Sequence, residues 1–88
     1  MDTVLSIVVF SLLSMKCNNN NKLKLDGYVV GRYARLLEIK VDKLQGILDE
    51  LEEFGFTKIK DEELMVNPSI FNKCSMFDVD ALKYEYDT

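Results

Sequence analysis

The fold is decided by residues 41–54, VDKLQGILDELEEF, and by Gly55 directly after them. Apolar side chains recur at positions 41, 44, 47, 48, 51 and 54, the spacing that places them on one face of a helix. Gly55 stands where many helices end, because glycine adopts left-handed backbone without steric cost. The pattern predicts an amphipathic helix over residues 41–54 whose apolar face packs on a core.

The neighbouring segments predict a second helix before this one and a hairpin after it. Residues 28–39, YVVGRYARLLEI, have apolar side chains at helical spacing and predict a helix that begins near Val30. Asp42 is placed to cap or open the following helix. Two strand-like runs separated by a polar turn, the acidic residues 61–63, predict a hairpin over residues 56–66.

The N-terminal residues 4–15, VLSIVVFSLLSM, are apolar on almost all sides. We interpret them as a buried helix rather than a signal peptide or an anchor, because no Lys or Arg precedes them and a bilayer span needs about 20 residues. The rest of the domain covers one side of such a helix. The other side is covered either by further segments of the same chain or by a second copy, and the latter alternative predicts a homodimer through helix 4–15.

Weaker signals complete the outline of one domain over residues 1–88. Four consecutive asparagines at 18–21 predict a loop, residues 22–25 predict a short strand, and Asp26-Gly27 predicts a turn. Residues 77–88 predict a C-terminal helix or arm. A chain of 88 residues is too short for a second core.

The composition excludes most enzyme chemistry. His is absent, which removes the commonest general base and the commonest metal ligand. Cys17 and Cys74 occur without a CxxC motif, so we interpret them as reduced thiols of a cytoplasmic protein. We therefore expect a non-enzymatic protein that needs no metal and no cofactor and does not associate with a membrane.

The charge is unevenly distributed along the chain. Residues 1–48 hold seven Lys or Arg and four Asp or Glu, a net charge of +3. Residues 49–88 hold four Lys or Arg and eleven Asp or Glu, a net charge of −7. The front half is suited to phosphate, and the back half repels it.

The predicted order of elements resembles the winged helix-turn-helix fold over residues 29–71. The motifs are YARLLEI at 33–39, where Ala34 is the small residue between two crossing helices, and VDKLQGILDELEEFGF at 41–56. The ending LMVNPSIF at 64–71 is similar to that of winged-helix domains in plasmid and phage replication initiators of the RepL type. The resemblance implies a fold that is mainly α with a small β-hairpin.

The same resemblance implies a function in transcription regulation or DNA replication of a phage- or plasmid-like element. Such domains place the third helix, here residues 41–54, in the major groove of double-stranded DNA. The implied readers of base edges or phosphates are Lys40, Lys43 and Gln45. The implied contacts to the DNA backbone are Arg32, Arg35, Lys58 and Lys60. The alternative interpretation of these side chains is an ordinary solvated surface.

The predicted wing departs from the DNA-binding pattern. Its tip, Asp61-Glu62-Glu63, is repelled by phosphate and serves either as a plain hairpin turn or as a protein-docking site. A net charge of −4 and an isoelectric point near 4.7 are unusual for a DNA-binding domain. The alternative function is therefore an acidic winged-helix interaction module, such as an anti-repressor, a DNA mimic or a replisome accessory, that binds a basic protein instead of DNA.

Overall fold

The structure is a computed structural model that describes residues 3–71 and 79–88, which form four helices and a three-stranded sheet. The elements are α1 (Thr3–Lys16), β1 (Lys22–Lys24), α2 (Gly27–Leu36), α3 (Val41–Glu53), β2 (Thr57–Lys60), β3 (Glu63–Val66) and α4 (Val79–Asp87). The strands are antiparallel in the spatial order β1-β3-β2. The predicted fold class, mainly α with a small β-hairpin, is confirmed, and the arrangement is winged-helix-like.

The core lies between α1, the crossing pair α2 and α3, and the inner face of the sheet. Leu44, Leu48 and Leu51 of α3 are all buried, as the helical spacing predicted. Ala34 is 2% exposed and packs in the same core cluster, which lets α2 cross close to α3. Cys17 is also buried there, whereas Cys74 lies outside the described residues.

The end of α3 confirms the role predicted for Gly55. Its φ is +80°, and its backbone N–H donates to the Glu52 carbonyl at 3.0 Å. The Phe56 N–H donates to the Leu51 carbonyl at 2.9 Å. These two bonds form a Schellman motif, which satisfies carbonyls that the last turn of a helix otherwise leaves unpaired.

One predicted boundary is wrong, at the start of the second helix. The helix α2 begins at Gly27 rather than near Val30, because Asp26 does not start a turn but caps the helix. Its Oδ1 accepts a hydrogen bond from the Val29 N–H at 2.9 Å. Of the two alternatives predicted for Asp42, the structure confirms the second: Asp42 lies in the first turn and opens α3, and the N-cap residue is Lys40.

The sheet joins the predicted hairpin to the strand at residues 22–24. Leu23 of β1 pairs with Leu64 of β3, and Ile59 of β2 pairs with Leu64 on the other side. The hairpin turn contains only Asp61 and Glu62, with φ of +52° and +62°, as in a type I′ turn. Glu63, predicted in the turn, is the first residue of β3.

The helix α4 accounts for residues 79–87 of the predicted C-terminal helix or arm, and residues 77 and 78 lie outside the described part. Leu82 is buried at 5% exposure, and Lys22 of β1 forms an ion pair with Glu85. The Tyr86 hydroxyl donates to the Gly55 carbonyl at 3.2 Å. Across residues 3–71 and 79–88, no helix combines the length and apolar character needed to cross a membrane.

Candidate nucleic-acid interface

A groove of about 580 Å³ lies between α2 and the start of α3. Its charged lining residues are all cations, namely Arg32, Arg35 and Lys40. The remaining lining is apolar or small, and consists of Gly27, Tyr28, Gly31, Ala34, Ile39 and Val41. Three of the predicted DNA-contacting side chains therefore meet in one concave surface.

A second cavity of about 380 Å³ extends this surface towards α1. Arg32 and Arg35 line it as well, together with Lys16, Tyr33 and Leu36. We call the two cavities together the basic groove. Lys16 was not predicted as a site residue. The feature of the sequence that could have indicated it is its position as a single cation in the last turn of an otherwise uncharged helix.

The tight turn between α2 and α3 brings Lys40 to the arginines of α2. The Glu38 N–H donates to the Arg35 carbonyl at 3.1 Å, and the Ile39 N–H donates to the Ala34 carbonyl at 2.9 Å. Glu38 itself has a φ of +57°, so α2 ends in the same Schellman motif as α3. This turn reverses the chain within four residues and sets the first turn of α3 beside α2.

Gly31 lies inside α2 and opens the floor of the groove. A glycine in a helix interior costs about 1 kcal/mol relative to alanine. No other group occupies the space that a side chain would take, since no atom lies within 4 Å of a Cβ built at this position. Packing among the described residues therefore does not require a glycine at this position.

The exposed face of α3 is acidic along most of its length. Asp42, Asp49 and Glu53 are exposed and lie on one side of the helix, at the spacing i, i+7, i+11. Lys43 and Gln45 are exposed too, but two residues on a helix lie roughly 160° apart, so they flank this acidic arc on opposite sides. The structure does not bring either of them into the lining of the basic groove.

The predicted wing cations, Lys58 and Lys60, line a cavity outside the basic groove. The Lys58 ammonium donates to the Tyr86 carbonyl at 2.8 Å and lies 5.7 Å from the centre of the Tyr86 ring. Lys60 lines a separate cavity of about 580 Å³ on the α4 side of the sheet, and the other charged lining residues are Lys22, Lys58, Asp61, Glu63 and Glu85. This cavity has the same volume as the larger part of the basic groove, but its lining carries both signs of charge.

The cations of the basic groove are not neutralised within the described chain. Ion pairs between residues of the ranges 3–71 and 79–88 join Lys22 to Glu63 and Glu85, and Lys24 to Asp26. The Glu85 carboxylate raises the pKa of Lys22 by its hydrogen bond. Arg32, Arg35 and Lys40 take part in none of these pairs, which leaves them available to an anionic ligand.

Comparison of the chain with protein-family models, with curated proteins and with solved structures gives no match in any of the three. The likeness to RepL-type initiators stays a prediction that depends on the motifs at 33–39, 41–56 and 64–71. Within residues 3–71 and 79–88, no group of three or more His, Cys, Asp or Glu side chains is arranged to hold a metal ion.

Proposed function

We propose that this protein binds the phosphate backbone of double-stranded DNA in the basic groove, as a non-enzymatic protein of the cytoplasm. The observation that carries the proposal is the meeting of Arg32, Arg35 and Lys40 in a groove without an acidic lining residue. Cations that neutralise phosphates release condensed counterions, which supplies most of the affinity of such contacts. Guanidinium groups also bind phosphate oxygens in a bidentate manner.

Helix α2 crosses the backbone in this proposal, and only the first turn of α3 enters the major groove. The N-terminal residues of a recognition helix are those that reach base edges. Lys40 and Lys43 lie one turn apart at this end, and Gln45 follows them. Phosphates repel the acidic arc of Asp42, Asp49 and Glu53, so the rest of α3 tilts away from the duplex.

The biological role in this proposal comes from the resemblance alone, and is regulation of transcription or replication of a phage- or plasmid-like element. Lys58 and Lys60 are secondary contacts in this proposal. Lys58 is available to DNA only when its bond to the Tyr86 carbonyl is released.

The acidic arc of α3 supports a second candidate function. Asp42, Asp49 and Glu53 continue the negative character of the hairpin tip, where Asp61 and Glu62 are exposed. Such a surface is suited to a basic protein partner and gives the interaction module described above. This function does not use the basic groove.

Fluorescence anisotropy of a labelled mixed-sequence duplex tests the first candidate. We expect the wild type to bind, and the affinity to fall with salt between about 50 and about 200 mM. The variant Arg32→Glu/Lys40→Glu should bind at least tenfold more weakly, with a salt slope reduced by about two, because each lost phosphate contact lowers the slope by about one. Both side chains are exposed, so the variant should keep its fold.

The matched control is Lys24→Glu/Lys83→Glu, which makes the same change in charge at two exposed lysines that line neither part of the basic groove and have no contact to DNA in this proposal. It should retain most of the affinity. If both variants weakened binding equally, only the total charge of the protein would matter, and this result would contradict DNA binding in the basic groove. The variant Asp49→Lys/Glu53→Lys should bind DNA more tightly, whereas absence of binding by all folded variants would favour the second candidate.

A further inference from the structure

Helix α1 exposes an apolar face on the side opposite the core. Val9 is 1% exposed, whereas Val4 and Ile7 are 72% and 60% exposed. Val8 at 43% and Met15 at 70% continue the same face, because their spacing of four and eleven residues from Val4 keeps them on one side of the helix. Helix α1 therefore buries one side and exposes the other, and both sides are largely apolar.

This face continues onto the end of α3 through aromatic side chains. Phe10 follows Ile7 by one turn, and its ring centroid lies 5.7 Å from that of Phe56. Phe54 lies 6.5 Å from Phe56, and the two are 58% and 37% exposed. We call this surface the α1 patch, consisting of Val4, Ile7, Val8, Met15, Phe54 and Phe56. The exposed fractions of these six side chains correspond to about 600 Å² of accessible area, because a full aromatic side chain presents roughly 150–250 Å².

We infer that a second copy of this chain covers the α1 patch. Two copies joined there remove on the order of 1,000 Å² from water, the lower limit for a specific interface. Residues 3–15 hold no charged side chain, so these residues of two identical copies meet without like-charge repulsion. For the same reason, α1 offers a partner of different sequence no charge to select its orientation.

A lipid surface fits the α1 patch poorly. Interfacial helices carry several cations on a polar face that meets the headgroups. Lys16 is the sole charged residue of α1 and lies at its C-terminal end. The inference does not depend on the proposed DNA binding.

The two α1 helices pack antiparallel in this dimer. A parallel pair brings the two Lys16 ammonium groups together, whereas an antiparallel pair of 14-residue helices keeps them about 20 Å apart. Antiparallel helices also oppose their dipoles. The arrangement sets Val4 of one copy against Met15 of the second copy.

Sedimentation equilibrium over about 10–100 µM protein tests the dimer. The wild type should approach twice its mass of 10.2 kDa. The variant Val4→Glu/Ile7→Glu should stay monomeric and folded, since both positions are exposed and acids are favourable in the first turns of a helix. The control Leu36→Glu/Tyr84→Glu removes two apolar side chains that are 63% and 77% exposed outside the patch, and it should dimerise like the wild type.

A monomeric wild type at the highest concentration, or a dimer that survives Val4→Glu/Ile7→Glu, would overturn the inference. Neither outcome bears on DNA binding, which is measured separately.

Oxidative crosslinking tests the orientation. In one chain, residues 4 and 15 lie about 16 Å apart along the helix, beyond the reach of a disulfide. Val4→Cys/Met15→Cys should therefore form a covalent dimer under oxidation, beyond any background from the native cysteines of the parent chain. Val4→Cys alone should not exceed that background. Efficient crosslinking of the single variant would indicate a parallel pair and contradict the antiparallel arrangement.

Discussion

At the residue scale, Lys40 has two roles, as the N-cap residue of α3 and as a cation of the basic groove, and a single substitution can change them in opposite directions. It occupies the N-cap of α3 with extended backbone, at φ −74° and ψ 149°, but its side chain accepts no bond from the first helical N–H groups. The same residue supplies one of the cations of the basic groove. A lysine at an N-cap leaves unsatisfied the donors that Ser, Thr, Asp or Asn normally pair.

We predict that Lys40→Ser makes the protein more stable and the DNA complex weaker. A serine hydroxyl accepts a bond from the helix start and should raise the free energy of unfolding by about 1 kcal/mol. Loss of the cation should lower the duplex affinity severalfold. Urea denaturation and anisotropy measure the two effects, with Lys43→Ser as a control that loses the same charge inside the helix. A rise in stability without a fall in duplex affinity would show that Lys40 contributes nothing to DNA binding.

At the element scale, α2 and α3 end in the same motif with different residues at the left-handed position. Glu38 follows α2 with φ +57°, and Gly55 follows α3 with φ +80°. A side chain in left-handed backbone costs roughly 1–2 kcal/mol, offset in part by the larger entropy that glycine loses on folding. Glu38→Gly should therefore raise the free energy of unfolding by roughly 1 kcal/mol.

The matched substitution Gly55→Ala should lower it by a similar amount. No atom lies within 4 Å of a Cβ built at Gly55. The loss of stability in this variant therefore measures the cost of the left-handed backbone and not of a steric clash. Thermal and urea denaturation measure both variants. Changes of the same sign in the two variants would contradict the shared motif.

Local signals in the sequence were sufficient to predict some of the helices and strands but not how they pair. Periodicity and Gly55 predicted α3 to within one residue, because both signals are local. The cap Asp26 was mistaken for a turn, since Asp-Gly is typical of both. The pairing of β1 with β3 and the contact of Lys22 with Glu85 connect distant parts of the chain, and no local pattern encodes them.

The candidate site was predictable to the same extent. The spacing of three residues indicated that Arg32 and Arg35 share a face of α2. Their meeting with Lys40 depends on the turn at Glu38, and the engagement of Lys58 depends on α4, neither of which has a periodic signal.

At the scale of the whole molecule, three groups make the fold sensitive to alkaline pH. Burial raises the pKa of Tyr33 and of Tyr86 above the ordinary value of 10.0, and the hydrogen bond that Lys22 donates to Glu85 raises the pKa of Lys22 above 10.5. Each group therefore holds its proton more tightly in the folded state than in the unfolded chain. Their contribution is fully present below pH 10 and is lost as the pH rises through the folded pKa values.

We predict that the urea midpoint falls as the pH rises above about 10, and that Tyr33→Phe reduces this fall. The phenylalanine keeps the buried ring and removes the group that ionises. Tyr84→Phe is the control, because Tyr84 is 77% exposed and buries no phenol. An equal fall in wild type and Tyr33→Phe would exclude Tyr33 as a source of the pH dependence.

The most direct test of the central claim is a map of amide chemical-shift changes when the ¹⁵N-labelled protein is titrated with a mixed-sequence duplex at low salt. We predict that the changes concentrate in α2, the turn after it and the first turn of α3, with Lys16 affected, with smaller changes in β2, and with β3 and α4 nearly unchanged. Changes confined to the hairpin and α4, or none in a folded protein, would contradict DNA binding through the basic groove.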